Sequence, residues 1–131
     1  MKRGGILHGE LSHVVAQLGH TDLLAVADAG LPIPDGVRRV DLALVPGVPG
    51  FLQTVRALLG EIVVERAVIA QEMASRNPDL HRELREALNG VVLEEVPHEE
   101  VKRRVAGARA VVRTGEWTPY ANVLLQCGVA F

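Results

Sequence analysis

"LGHTDLLAVADAGLPIP" occupies residues 18–34, and its reading decides the fold. At its centre, "LLAVAD" (23–28) is a short, unbroken apolar run, the pattern of a strand buried on both faces in a parallel sheet. The run is entered from a helix stop and left through a turn stiffened by Pro32 and Pro34. His20 and Asp28 therefore stand at opposite ends of one strand, each beside a backbone breaker.

Upstream, "GELSHVVAQLG" places Leu11, Val14, Val15 and Leu18 on one face of an amphipathic helix, and Gly19 fits a left-handed C-terminal stop. Downstream, "VRRVDLALV" (37–45) alternates, with Val40, Leu42 and Leu44 on one side. "GVPGFLQTVRALLGE" reads as a turn and then a helix, with Phe51, Val55 and Leu58 or Leu59 pointing inward. "VERAVIA" (64–70) predicts a third strand, and "QEMASRNPDLHRELREALNG" a helix interrupted near Pro78. "VVLEEV" (91–96) is a fourth strand and "HEEVKRRVAG" another helix; "ARAVVRT" and "NVLLQCGVAF" are the fifth and sixth strands.

Strands and helices alternate without an internal repeat or a linker. The expected architecture is a single α/β domain over residues 1–131, three-layered, with a mostly parallel central sheet of about six strands flanked by helices. Val123, Leu124, Leu125, Val129 and Phe131 give the last strand more apolar surface than an edge strand of a small monomer should expose. At an edge, that surface predicts a homo-oligomer; internal to the sheet, the strand can be buried on both faces in a monomer.

Composition narrows the function classes. With 48% hydrophobic and 23% charged residues in 131, the chain is an ordinary globular domain with one core. A formal net charge of −2 supplies no basic footprint for nucleic acid. "KRR" at 102–104 sits beside Glu99 and Glu100 and reads as a solvated helix face. One cysteine makes no internal disulfide, and no stretch resembles a signal peptide or a membrane span, so a cytoplasmic address is expected. The glycine-rich phosphate loops and the G-x-S-x-G elbow are absent. The five histidines, at 8, 13, 20, 81 and 98, form neither H-x-H nor H-x-x-x-H, so no zinc site is expected. Cys127, in an apolar run, reads as a buried inert thiol.

The residues with chemical capacity gather at turns. His20 follows a helix stop, and Asp28 ends a strand. His98 and Lys102 share a helix face, and Tyr120 and Asn122 flank the entrance to the last strand in "TPYAN". In open α/β sheets ligands bind beyond the carboxyl ends of strands, where Asp28 falls. Each residue also has a plain structural use: His20 closing helix carbonyls, Asp28 capping its turn, His98 starting a helix, Tyr120 and Asn122 shaping a turn.

In combination, "GHTD" (19–22), "DAGLPIP" (28–34), "GVP" (47–49) and "PYAN" (119–122), with the opening "MKRGGILHGELS" and the ending "GVAF", resemble the D-ribose pyranase and fucose mutarotase family from end to end. The resemblance implies a cofactor-free sugar isomerase that interconverts the pyranose and furanose forms of ribose. It also implies a ring-shaped homo-oligomer, such as a decamer, with sites near subunit boundaries. By the same resemblance His20 is the acid/base residue, and Asp28, His98, Lys102, Tyr120 and Asn122 contact the sugar. Gly30, where the fucose branch usually carries a histidine, favours ribose. The rival expectations are a non-catalytic sugar-binding module associated with ribose uptake, a fucose mutarotase, and a structural oligomer without a ligand.

Overall fold

The computed structural model describes residues 1–131. Six strands form one sheet: β1 (Leu23–Ala27), β2 (Arg38–Asp41), β3 (Val64–Ala70), β4 (Val92–Val96), β5 (Ala110–Arg113) and β6 (Val123–Cys127), in the spatial order β2-β5-β1-β6-β3-β4. The β1–β5, β2–β5 and β3–β4 pairs are parallel, whereas β6 runs antiparallel to both of its neighbours, β1 and β3. The helices are α1 (Gly9–Gln17), α2 (Phe51–Leu59), α3 (Met73–Arg76), α4 (Pro78–Ala87) and α5 (His98–Val105). The expected mostly parallel three-layer α/β domain is the observed one.

Alternation of side chains along the strands builds the two outer layers. Leu24 and Val26 of β1, Ile69 of β3, Val112 of β5 and Leu125 of β6 face a core closed by Leu11, Phe51, Val55, Leu58, Met73 and Leu84 from α1 to α4. Ala25, Val68, Val111 and Leu124 face the opposite way, against Val105 of α5 and Leu31 of the proline-rich loop. The helix near Pro78 is indeed broken: α3 ends at Arg76 and α4 restarts with Pro78 in its first turn, where the missing N–H costs nothing. The "KRR" face is solvated and ion-paired, Lys102 to Glu99 and Arg104 to Glu100 and Glu94. No helix is long and apolar enough to cross a membrane.

Three expectations are corrected. Gly19 is not a left-handed helix stop: α1 ends at Gln17, Leu18 is already extended (ψ 129°), and the left-handed residue of this turn is Thr21 (φ 69°). The second strand stops at Asp41 rather than Val45. There Asp41 accepts the Ala43 N–H, and both its oxygens accept from Arg113 Nη1, turning the chain off the sheet and leaving Leu44 77% exposed. The last strand is not an edge. Val123, Leu124 and Leu125 are buried between β1 and β3, so only Val129 and Phe131 of that run remain exposed.

Candidate active site

The carboxyl ends of the parallel strands gather on one rim of the sheet, and the start of β6 joins them because that strand runs the other way. Asp28 follows β1 directly. Its Oδ1 accepts the Gly30 N–H at 2.9 Å, closing the turn of "DAG", and its Oδ2 accepts Asn122 Nδ2 at 3.0 Å. Asn122 Oδ1 in return accepts the Asp28 N–H at 3.0 Å. Asn122 is 1% exposed, so this reciprocal pair is a buried anchor beneath a half-buried carboxylate. Each carboxylate oxygen keeps a lone pair for a ligand.

Tyr120 sits two residues before Asn122 in the left-handed region (φ 58°), and the Asn122 N–H donates to the Tyr120 carbonyl at 2.9 Å. A non-glycine residue held there is strained, a condition concentrated at ligand sites. The Tyr120 ring meets His98 edge-on at 5.0 Å between centroids. Glu72 accepts the His98 backbone N–H with both oxygens at 3.1 Å, fixing the first residue of α5. His98 Nδ1 is buried without a hydrogen-bond partner in the chain, a polar atom suited to a ligand hydroxyl. Lys102, one turn along α5, donates to Glu99 at 2.7 Å and thereby holds the Glu99 carboxyl below its usual range.

His20 lies on the opposite rim, before β1. It is half exposed, with Nε2 at 3.2 Å from Glu65 Oε2, in a cleft shared with Val63, Cys127, Val129 and Phe131. The turn carrying it is fastened by Asp22, which accepts the Gly19 N–H at 2.9 Å and Arg109 Nε at 2.9 Å. These bonds, the Gly19 one first, hold the Asp22 carboxyl below the usual aspartate range. Burial pushes the neighbouring Cys127 thiol up, in keeping with an inert sulfur. Within one chain, then, Asp28, Asn122, Tyr120 and His98 adjoin, with Lys102 on the same helix as His98. The length of β1, roughly 17 Å for a five-residue strand, separates His20 from them.

Comparison with known proteins gives this geometry a context. The model of the RbsD / FucU transport protein family matches residues 1–130. The chain belongs to that family. Among RbsD/FucU relatives it is 53% identical to the D-ribose pyranase of Laribacter hongkongensis and 54% identical to that of Symbiobacterium thermophilum, each over 100% of both chains. It superposes on Bacillus subtilis RbsD complexed with D-ribose with a TM-score of 0.97, at 46% identity and with 100% of both chains covered. The fucose mutarotase of Streptococcus pneumoniae, in complex with L-fucose, shares the fold (TM-score 0.81, 20% identity, 95% of each chain).

Several residues that shape this rim carry no sequence signal. Glu116 accepts the Phe51 N–H at 2.9 Å, capping α2 where Gly50 has no side chain to offer, and accepts Thr118 Oγ1 at 2.8 Å beside Asp28. Arg113 donates to the Ala29 carbonyl at 3.1 Å and pins the other end of the "DAG" turn. Arg113 ends β5 and Glu116 lies in the loop that follows, and only the tertiary fold brings them to the rim.

Proposed function

We propose that this chain is a D-ribose pyranase in which His20 carries the protons and Asp28, His98, Lys102, Tyr120 and Asn122 hold the sugar. The observation that carries the ribose reading is similarity to D-ribose pyranases along the whole chain, with about half the residues identical. The reaction opens a cyclic hemiacetal. The anomeric hydroxyl loses its proton, the bond from the anomeric carbon to the ring oxygen breaks, and that oxygen takes up a proton to leave the open-chain aldehyde. Reclosure through the neighbouring hydroxyl reverses both transfers and exchanges the six-membered ring for the five-membered one. One imidazole can accept the first proton and return it to the ring oxygen near neutral pH.

The Asp28 carboxylate, pinned on one edge by Gly30 and Asn122, presents its remaining lone pairs to sugar hydroxyls. Tyr120 offers a ring face, and His98 Nδ1 an unpaired polar atom. The Asn122 amide spends one edge on Asp28, so its part in binding is to orient that carboxylate as well as to meet the ligand. The chain works in the cytoplasm, a setting that suits a lone thiol.

The working unit is a homo-oligomeric ring, such as a decamer, in which the His20 rim of one subunit meets the Asp28 rim of the next. Two features support this. His20 cannot reach a sugar on its own subunit's Asp28 across β1. Each rim also exposes apolar side chains: Val129 and Phe131 beside His20, and Leu44, Val45 and Trp117 around the cleft next to Asp28. A head-to-tail contact between unlike patches closes into a ring when its rotation permits. The test is complementation. His20→Ala and Asp28→Ala subunits, each inactive alone, are dissociated, mixed and reassembled, and exchange between ribose ring forms is read by saturation-transfer NMR. Random mixing pairs an intact His20 with an intact Asp28 at about a quarter of the interfaces, so about that fraction of activity returns. No recovery from reassembled mixtures refutes the shared site.

A further inference from the structure

An imidazole half exposed on a rim samples many orientations unless something holds it. His20 meets Glu65, whose Oε2 lies 3.2 Å from Nε2. The other carboxylate oxygen, Oε1, accepts Gln126 Nε2 at 2.9 Å, so Glu65 is itself held from β6. The register of the sheet singles Glu65 out. β3 and β6 pair Val64 with Cys127 and then Arg66 with Gln126, which leaves Glu65 as one extra residue, a β-bulge. Bulges re-aim a side chain and are enriched beside active sites.

The surroundings fit the same purpose. A methyl group added at Gly128 would lie 3.4 Å from Glu65 Oε2 and 3.2 Å from Val63 Cγ1, so the absent side chain leaves the space in which the carboxylate lies. On the other side, the left-handed Thr21 donates its N–H to the Cys127 carbonyl at 2.9 Å and ties the residue after His20 to β6. Imidazole and carboxylate are thus anchored separately and face each other.

We propose that Glu65 is the positioning residue for His20, with Gln126 holding Glu65 in turn; this rests on the reading that His20 carries the protons. An ionised carboxylate only accepts hydrogen bonds, so the ring nitrogen facing it, Nε2, bears the hydrogen. Nδ1 then carries the lone pair that takes the anomeric proton, and the imidazolium formed lies beside a negative charge. The logic is that of the carboxylate that fixes tautomer and orientation in hydrolase triads.

Glu65→Gln tests it, because the amide keeps the size and turns an N–H toward Nε2, favouring the wrong tautomer. Exchange at saturating ribose falls roughly ten- to a hundredfold, short of the ~10⁴ seen in a buried triad, with KM unchanged within about twofold. Spectra of protein labelled with ¹⁵N-histidine show Nδ1 of His20 unprotonated in the wild type and gaining the hydrogen in the variant. The Glu65→Gln, His20→Ala double variant is no slower than His20→Ala alone, since a positioning residue has nothing left to position. Full activity of Glu65→Gln beside an inactive His20→Ala overturns the positioning role and leaves His20 standing. Near-normal exchange by His20→Ala overturns the proton-carrier reading and the positioning role with it.

Discussion

Replacing Asn122 with leucine removes the buried anchor of Asp28 while keeping the branching and number of side-chain heavy atoms. Two bonds go. The one from Nδ2 to the Asp28 carboxylate (3.0 Å) is to a charged group and contributes about 1.5–3 kcal/mol. The one from the Asp28 N–H (3.0 Å) leaves a donor without its partner, at a cost of about 1–3 kcal/mol. Asp28 is only half-buried, so water can reach the freed carboxylate edge and the sum falls in the lower half of its range, about 2.5–4 kcal/mol. For a domain of this size that corresponds to a fall in Tm of roughly 6–15 °C.

Urea and thermal unfolding at one fixed protein concentration, which the proposed oligomer demands, give the stability change, and titration with ribose gives the functional one. Ribose affinity falls at least ~tenfold, because the carboxylate loses its fixed direction. Asn122→Asp keeps the size but sets a second carboxylate against the first, and it is the more damaging of the two at neutral pH. An Asn122→Leu protein within ~1 kcal/mol of wild type that also binds ribose normally would refute the anchor, since that cost lies well below the loss of both bonds together.

Gly30→His fits the backbone, because an added Cβ meets only Asp28 Oδ1 at 3.7 Å, but its ring crowds the carboxylate; ribose exchange falls, and equal or better L-fucose exchange by the wild type would overturn the ribose preference. Asp22 has its pKa depressed in the folded state, so the stability it lends is whole above the unfolded value and lost as pH falls through the folded one. Unfolding measured against pH should therefore show a flatter acid limb for Asp22→Asn below about pH 4. Phe131→Asp places a charge in the apolar rim beside His20 and should reduce both the assembly mass, by light scattering, and the exchange rate; a full-sized, fully active assembly argues against that rim as the contact.

Much of the fold was legible because β1, β5 and β6 are short and mostly apolar, and β3 ends in an apolar run. "LLAVA", "VERAVIA" and "AVVR" announce buried strands, and helical spacing marks Leu11 and Val14, then Phe51, Val55 and Leu58, as core. Neither the direction of β6 nor its place in the strand order was legible, since an apolar run reads the same both ways and at any position; the structure sets Val123–Cys127 antiparallel between β1 and β3, in the middle of the sheet. Turn chemistry was half legible. Gly19 looked like a left-handed stop by composition, yet Thr21 took that conformation because its N–H is claimed by Cys127, a partner far along the chain. The residues at the rims were visible as polar groups beside breakers, and the resemblance to a sugar isomerase family assigned them roles. Their partners were not visible. Glu65 lies inside a strand pattern, and no local signal distinguishes a bulged residue from the ordinary alternation around it.

The reversed strand also explains how so small a chain furnishes both halves of the proposed site. Asn122 immediately precedes β6 and fastens Asp28 on one rim; Gln126 and Cys127 end the same strand and fasten Glu65 and Thr21 on the other. A sixth strand parallel to β1 would begin on the His20 rim, and the "TPYAN" loop that feeds it would open there rather than beside Asp28. Running antiparallel, five residues join the two rims at a fixed spacing. Register guards that spacing: Val123 and Leu125 belong to one core layer and Leu124 to the other, so a slip of one residue would expose each to the wrong face. The same slip would draw Asn122 about 3.4 Å along the strand from Asp28, and Gln126 equally from Glu65. The packing that stabilises β6 is therefore also what holds each rim's polar groups within hydrogen-bonding reach of their partners.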